Sequence, residues 1–169
     1  AVRASHENAH RLFTAGRKVL VYPGGDLDAM RSFRDRNRVI FGDRRGYVRL
    51  ALREHVPVIP VVTAGAHATS IILTDGQWLA RALRLDRRFR LKVCPITLSV
   101  PGGLTIGPPP PHIPFPTRID IQILDPIRFE RTGVDAAADD DYVERCHKRV
   151  HGVMQRTLTR MAAHRRDAR

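Results

Sequence analysis

The turn after Tyr22 follows a predicted β-strand, which is where open α/β sheets bind their ligands. Residues 19–32 read VLVYPGGDLDAMRS, so a run of β-forming residues ends in a proline and two glycines. Ligands of open α/β sheets bind outside the carboxyl ends of the strands, which is the position that this turn takes. A strand followed by Pro-Gly-Gly is also common turn chemistry, and the motif alone leaves both interpretations open.

Histidine is the other residue type that could do chemistry, and the chain has eight. His6 with His10, and His147 with His151, have the i, i+4 spacing that could place two metal ligands on one helix face. Neither pair has a convincing acidic third ligand, so we predict no metal site. The chain contains no GxSxG, GxxxxGK[ST], GxGxxG or HExxH motif, which removes the commonest hydrolase, nucleotide-binding and zinc-protease signatures.

The elements around the turn predict a βαβ unit. Residues 17–23 (RKVLVYP) have the continuous apolar character of a strand buried in a parallel sheet. Residues 46–55 then predict a helix, and residues 56–62 a second buried strand. This arrangement would place the Pro-Gly-Gly turn beside the TAGAHA loop that follows Val62.

Further helices and strands are predicted on either side of this unit. Residues 2–15 predict a helix that stops at Gly16, residues 118–124 alternate like a strand, and residues 139–165 carry a helical apolar stripe. Residues 91–100 fit either a buried strand or an apolar helix. The chain is therefore predicted to have an α/β fold, with a mixed β-sheet flanked by helices and a long C-terminal helix.

The charge of the chain indicates an anionic partner, because the formal net charge is +12. Residues 77–92 (QWLARALRLDRRFRLK) interleave apolar side chains with six basic ones, a pattern that suits an amphipathic segment on an anionic membrane surface. A surface helix with a solvated basic face is the alternative. Cys94 and Cys146 are far apart and predict buried thiols in a reducing compartment.

Three stretches, in order, carry a resemblance to a known family: VYPGGDLDAMRS, RRGYVRLALREHVPVIPVV and PFPTRIDIQILDPIRF. Together they resemble the glycerolipid acyltransferase superfamily, nearest the branch of diacylglycerol and monoacylglycerol acyltransferases. The resemblance implies that residues 1–130 are the carboxyl-terminal part of an acyltransferase α/β domain. We predict that residues 131–169 form an amphipathic helix that packs on it.

The resemblance also implies which residues bind substrate. The turn of Tyr22, Pro23, Gly24 and Gly25 would shape the acceptor pocket, where glycines let backbone N–H groups approach glyceryl oxygens. Arg31 and Arg34 would meet the phosphates of acyl-CoA or of a lysophospholipid. A solvated loop is the alternative for both arginines.

The same resemblance exposes a missing catalytic base. Enzymes of this superfamily use a His-x-x-x-x-Asp motif, or His-Pro-His-Gly in the neutral-lipid branch, to activate the acceptor hydroxyl. None of the eight histidines has an aspartate five residues later, and His-Pro-His-Gly does not occur. We therefore assign no catalytic residue in this chain and expect it to correspond to the carboxyl-terminal part of a longer acyltransferase.

The leading hypothesis is an O-acyltransferase that moves an acyl group from acyl-CoA, its co-substrate, to a glycerolipid or lysophospholipid hydroxyl without a further cofactor. It would be cytoplasmic and peripheral on the inner face of the membrane. The alternative is a non-catalytic basic module that binds anionic lipid. Nucleic-acid binding ranks below both, because the basic residues are interleaved with apolar ones and no nucleic-acid motif is present.

Overall fold

The computed structural model describes residues 5–69, 71–82, 94–99, 103–107 and 113–167. Its helices are α1 (His6–Thr14), α2 (Gly25–Ala29), α3 (Gly46–Arg53), α4 (Gln77–Ala82), α5 (Val134–Ala138) and α6 (Asp140–Asp167). Its strands are β1 (Val61–Ala64), β2 (Ile71–Thr74), β3 (Ile96–Ser99), β4 (Gly103–Ile106) and β5 (Asp120–Ile123). The chain divides into one compact unit of residues 1–23, 43–60 and 124–152 and another of residues 24–42, 61–123 and 153–169.

The core of the first unit is helical. Val48 and Leu52 lie four residues apart on α3, which places both on one face, and both are fully buried. They pack with a cluster from α5 and the start of α6: Ala136, Ala137, Tyr142, Val143 and Cys146. The carboxylate of Asp139 accepts a hydrogen bond from the Tyr142 amide at 2.9 Å, which caps the first turn of α6.

The second unit contains two small antiparallel sheets. Strand β1 pairs with β5, with Val61 opposite Ile123 and Ala64 opposite Asp120. Strands β2, β3 and β4 form a second sheet in that order. The carboxyl-terminal part of α6 contributes buried Leu158 to this unit, and Gln155 accepts a hydrogen bond from the Val39 amide at 2.8 Å.

The predicted α/β class is confirmed: helices and strands mix, and a long helix ends the chain. The expected mixed β-sheet is wrong, because the described strands form two separate antiparallel sheets. Helices predicted over residues 2–15, 46–55 and 139–165 are observed at His6–Thr14, Gly46–Arg53 and Asp140–Asp167. The late strand is observed at Asp120–Ile123, and residues 96–99 of the ambiguous stretch are a strand. Both cysteines are buried free thiols, as expected. The division of the chain at residue 130 stays a prediction.

The predicted βαβ unit is wrong. Residues 17–22 form no strand, and Leu20, Val21 and Tyr22 are exposed. The second predicted strand begins only at Val61, because Pro57 and Pro60 lack the amide N–H that a ladder needs, and Val58 forms an isolated bridge with Ile127. β1 then pairs antiparallel with β5, so no parallel crossover joins these segments.

The described part of residues 77–92 begins as predicted. Helix α4 covers Gln77–Ala82, and Trp78 is exposed. The prediction for residues 83–92 lies outside the described residues. Among the helices that the structure describes, none is long and apolar enough to cross a bilayer.

Candidate functional site

Close packing explains the first glycine of the turn, and backbone conformation explains the second. Gly24 is buried, and a Cβ atom there would overlap the side chain of Asp28 and the carbonyl oxygen of Ile40. Gly25 begins α2 with a φ of +51°, which glycine adopts at little cost. The local geometry therefore accounts for both glycines without a ligand.

Arg31 lies beneath this turn rather than in solvent. Its side chain is only 6% exposed, and its guanidinium forms an ion pair with Asp28. It also donates a hydrogen bond to the carbonyl oxygen of Arg36 at 3.2 Å. Burial lowers the pKa of Arg31, although Asp28 opposes that change. Arg31 therefore ties α2 to the short helical turn at Phe33–Asp35.

His67 lies in the loop that follows β1. Gly65 takes a φ of +96°, and a Cβ atom there would overlap the carbonyl oxygen of Arg118 and lie 2.7 Å from the guanidinium carbon of Arg165. This tight turn leads into a 3-10 helix at Ala66–Ala68, which carries His67. Within the part of the chain that the structure describes, the imidazole of His67 has no hydrogen-bond partner.

His67 borders a cavity of about 160 Å³ in the second unit. Among the described residues, three separate segments supply its walls: Phe33, Arg36 and Asn37; Gly65, His67 and Ala68; and Ala162 and Arg165 of α6. The cavity is smaller than sites that enclose a whole drug-sized ligand, so it suits one polar group of a larger molecule.

The charge around the cavity favours an anion. Arg165 donates to Asp120 at 2.7 Å, but Asp120 also accepts from Arg118 at 2.7 Å, so two arginines share one carboxylate. These hydrogen bonds, with that from Arg165 the strongest, lower the pKa of Asp120 and keep it ionised. Arg36 lies over the ring of Phe33 at 4.1 Å and has no carboxylate partner among the described residues. The cavity wall therefore carries excess positive charge, which can bind a phosphate or carboxylate.

The imidazole of His67 is neutral at physiological pH. Burial, and next the positive charge of Arg31, lower its pKa to about 4, although Asp28 acts in the opposite direction. A neutral imidazole can accept or donate a hydrogen bond at a bound polar group without adding charge.

We expect His67 to make the protein less stable in mild acid. The pKa of histidine in an unfolded chain is about 6.5, so between pH 6.5 and pH 4 the unfolded state binds a proton that the folded state excludes. When the pH is lowered from 7 to 5, this difference in proton binding should lower the free energy of unfolding by about 2 kcal/mol. Urea denaturation at both values should show a smaller loss in His67→Gln. The exposed His164→Gln serves as the control and should behave like the wild type; equal losses in all three proteins would contradict the assignment.

The two histidine pairs have local partners. His10 forms an ion pair with Glu54 at 2.7 Å, and the Nδ1 atom of His147 lies 3.1 Å from the hydroxyl of Tyr47. Among the described residues, no group of three histidine, cysteine, aspartate or glutamate side chains is arranged to hold a metal ion.

Comparison with known families decides the relationship. Residues 1–155 match the family described as diacylglycerol acyltransferase. The chain belongs to this family. The match includes the Gly24 turn, the His67 loop and α6 as far as Gln155, whereas the cavity residues Ala162 and Arg165 lie beyond it.

The family relatives are longer than this chain. An uncharacterized protein of Mycobacterium tuberculosis is 31% identical over 160 residues, which cover 95% of this chain and 42% of that protein. An uncharacterized protein of Mycobacterium leprae is 29% identical over 168 residues, with 97% and 42% covered. Human diacylglycerol O-acyltransferase 2 is 27% identical over 66 residues, which cover 38% of this chain and 17% of that enzyme. No solved structure matches the chain significantly.

The structure places the substrate-binding residues expected from the family resemblance in the Pro-Gly-Gly turn and in the segment that follows it. Gly24, Gly25 and Arg31 lie together in the second unit, and Arg34 is exposed on the neighbouring 3-10 turn. Tyr22 and Pro23 belong to the first unit, where Tyr22 is exposed and the carbonyl oxygen of Pro23 accepts from Arg44 at 3.5 Å. Their assignment to substrate stays a prediction.

Sequence reasoning missed the cavity residues Arg36, Asn37 and Arg165. His67 belongs to the TAGAHA loop, which the sequence predicts to lie beside the Pro-Gly-Gly turn, so the sequence does indicate a position for it near the site. The sequence gives no such indication for Arg165, because only the packing of α6 within the second unit brings it near Gly65.

Proposed function

We propose that this diacylglycerol acyltransferase-family protein takes part in the transfer of an acyl group from acyl-CoA to a glycerolipid hydroxyl. The family match over residues 1–155 carries this proposal. The acceptor is a glycerolipid such as diacylglycerol or a lysophospholipid. The name of the human relative refers to diacylglycerol, and the cationic cavity suits a phosphate-bearing molecule.

The cavity supports a donor-binding role. Coenzyme A carries several phosphate oxygens, and a guanidinium that has no carboxylate partner binds phosphate through charge-assisted hydrogen bonds. Arg36 meets this condition among the described residues, and Arg34 is exposed two residues earlier. Arg31 is already paired with Asp28, so we assign it to positioning of the turn and not to direct phosphate contact.

The protein is proposed to act as a cytoplasmic, peripheral membrane protein. The basic segment of residues 81–92 supports this location, because anionic lipids of the inner leaflet attract clustered arginines. A non-catalytic lipid-binding module is the second candidate. One observation favours it: none of the eight histidines belongs to either catalytic motif of the superfamily.

Calorimetric titration with an acyl-CoA, kept below its micelle concentration, tests the donor site. We expect saturable binding that weakens at least about tenfold in Arg36→Ala, since one charge-assisted contact is worth about 1.5–3 kcal/mol and 1.4 kcal/mol is a factor of ten. Arg36→Lys should recover part of the affinity.

Arg160→Ala is the matched control, because Arg160 is an exposed arginine of α6 that does not border the cavity. Its affinity should equal that of the wild type. If acyl-CoA does not bind, or if both alanine variants lose affinity equally, the donor site is contradicted and the lipid-binding module is favoured.

A further inference from the structure

The cavity in the second unit has a hydrogen-bond donor on each of its three described walls. Arg36 and Asn37 lie on one wall, His67 lies on another, and Arg165 lies on the third. The low pKa of His67 keeps its imidazole neutral, and a neutral imidazole has one N–H group to donate. Donors on three sides suit a ligand group that exposes three acceptor oxygens.

Both arginines of the cavity are held in place by neighbouring groups. The side chain of Arg165 is 19% exposed, and it donates to Asp120 at 2.7 Å and to the Thr117 hydroxyl at 3.4 Å. Arg36 donates to the carbonyl oxygen of Phe33 at 2.7 Å and stacks on the ring of the same residue. These described contacts use only part of the five N–H groups of each guanidinium. Each arginine is therefore positioned in advance and keeps donors for a ligand.

The charge around the cavity matches a doubly charged anion. Arg118 and Arg165 share the carboxylate of Asp120, which leaves one net positive charge there. Arg36, which has no carboxylate partner among the described residues, supplies a second. Two ion pairs on neighbouring residues add no net charge: Arg31 with Asp28, and Arg38 with Asp35.

A phosphate monoester fits both the charge and the donors of the cavity. At pH 7 it carries a charge of about −1.5 to −2, on three terminal oxygens that accept hydrogen bonds. A phosphodiester or a carboxylate carries only one negative charge, on two terminal oxygens. The cavity volume of about 160 Å³ holds such a group while the rest of its molecule lies outside.

We propose that this cavity is a binding site for a phosphate monoester and discriminates against phosphodiesters and carboxylates. Arg36 and Arg165 contact the charged oxygens, and His67 donates its N–H group to the remaining one. The inference rests on the proposed function, which supplies two sources of a monoester. One is the 3′-phosphate of coenzyme A in the acyl donor, and the other is the headgroup of a lysophosphatidate acceptor.

Calorimetric titration with two matched pairs of ligands tests the site. One pair is coenzyme A and 3′-dephospho-coenzyme A, and the other is glycerol 3-phosphate and the phosphodiester glycerophosphocholine. We expect the monoester of at least one pair to bind at least about tenfold more tightly than its partner, which is the effect of one charge-assisted contact. Selectivity in the first pair assigns the site to the donor, and selectivity in the second pair assigns it to the acceptor.

The measured quantity is the ratio of affinities within each pair, because a variant that folds poorly weakens both ligands equally. Arg165→Gln should remove most of the selectivity, and Arg165→Lys should restore part of it. His67→Ala should lower the ratio less, since the neutral imidazole adds a hydrogen bond but no charge. Arg160→Gln is the matched control, because Arg160 is an exposed arginine of α6 that does not border the cavity. It should keep the wild-type ratio.

The monoester site is overturned if neither monoester binds more tightly than its partner, or if Arg165→Gln keeps the selectivity. It is also overturned if Arg160→Gln loses as much selectivity as Arg165→Gln. Failure of the proposed function has a different result. Acyl-CoA binding that depends on Arg36, without selectivity in either pair, contradicts the monoester site alone. Selective binding of glycerol 3-phosphate without binding of acyl-CoA contradicts the donor role and supports the monoester site.

Discussion

A Gly24→Ala substitution is expected to lower the free energy of unfolding by about 3 kcal/mol, which is the upper part of the range for overpacked sites. The backbone of Gly24 has φ −67° and ψ −33°, which any residue can adopt, so backbone strain adds nothing. The whole cost comes from the added methyl group, which would overlap Asp28 and the carbonyl oxygen of Ile40. The Ile40 carbonyl is backbone and cannot rotate away, so α2 or the segment at residue 40 must move.

Urea denaturation of Gly24→Ala beside Gly46→Ala measures this effect. Gly46 is the first residue of α3, and a Cβ atom there would meet nothing within 4 Å, so alanine should leave stability unchanged or slightly raised. The comparison separates two roles of the turn. If Gly24→Ala keeps wild-type stability and loses acyl-CoA binding, close backbone approach to a ligand is the reason for the glycine. Loss of stability in Gly24→Ala alone supports the packing role.

The helices could be predicted because each buries a stripe of apolar residues that recurs with the helical period. Val48 and Leu52 are four residues apart on α3, and Tyr142, Val143 and Cys146 form the matching stripe on α6. Such a pattern depends only on local sequence, so it can be recognised without knowing which elements the helix packs against. Asp139 marked the start of α6 for a similarly local reason, since it caps the first turn.

Strands depend on partners that are distant in sequence, and there the prediction failed. The run at residues 19–22 is apolar enough for a buried strand, yet Leu20 and Tyr22 are exposed. β1 pairs with β5, about 60 residues later, and nothing in the pattern of either strand specifies an antiparallel partner. β3 and β4 also break the expected relation of pattern to burial, because their aliphatic residues face outward.

The candidate site was partly predictable for the same reasons. The Pro-Gly-Gly turn is a local motif, and the structure explains Gly24 by close packing and Gly25 by its positive φ. The position of His67 followed from the end of the strand, although the neighbouring strand was misassigned. The cavity could not be predicted, because it joins residues 33–37, 65–68 and 162–165 through tertiary packing.

This chain alone is expected to transfer no acyl group to a glycerolipid above background. A lipid hydroxyl is a weak nucleophile at neutral pH, and a missing general base costs about 10²- to 10⁴-fold in rate. His67 is a poor substitute, since a pKa of about 4 makes it a weak proton acceptor at pH 7. His67→Ala should therefore leave the residual rate unchanged.

An assay with radiolabelled acyl-CoA and either diacylglycerol or a lysophospholipid measures the transfer rate directly. The acyl-CoA concentration is set high enough to saturate the donor site. Saturation matters because it separates a missing base from a missing donor site. Robust turnover that disappears in His67→Ala, but persists in the exposed His164→Ala control, would place the catalytic base in this chain. The low pKa of His67 would then have to rise when an anionic group of the substrate compensates the charge of Arg31, which the pH dependence of the rate would reveal.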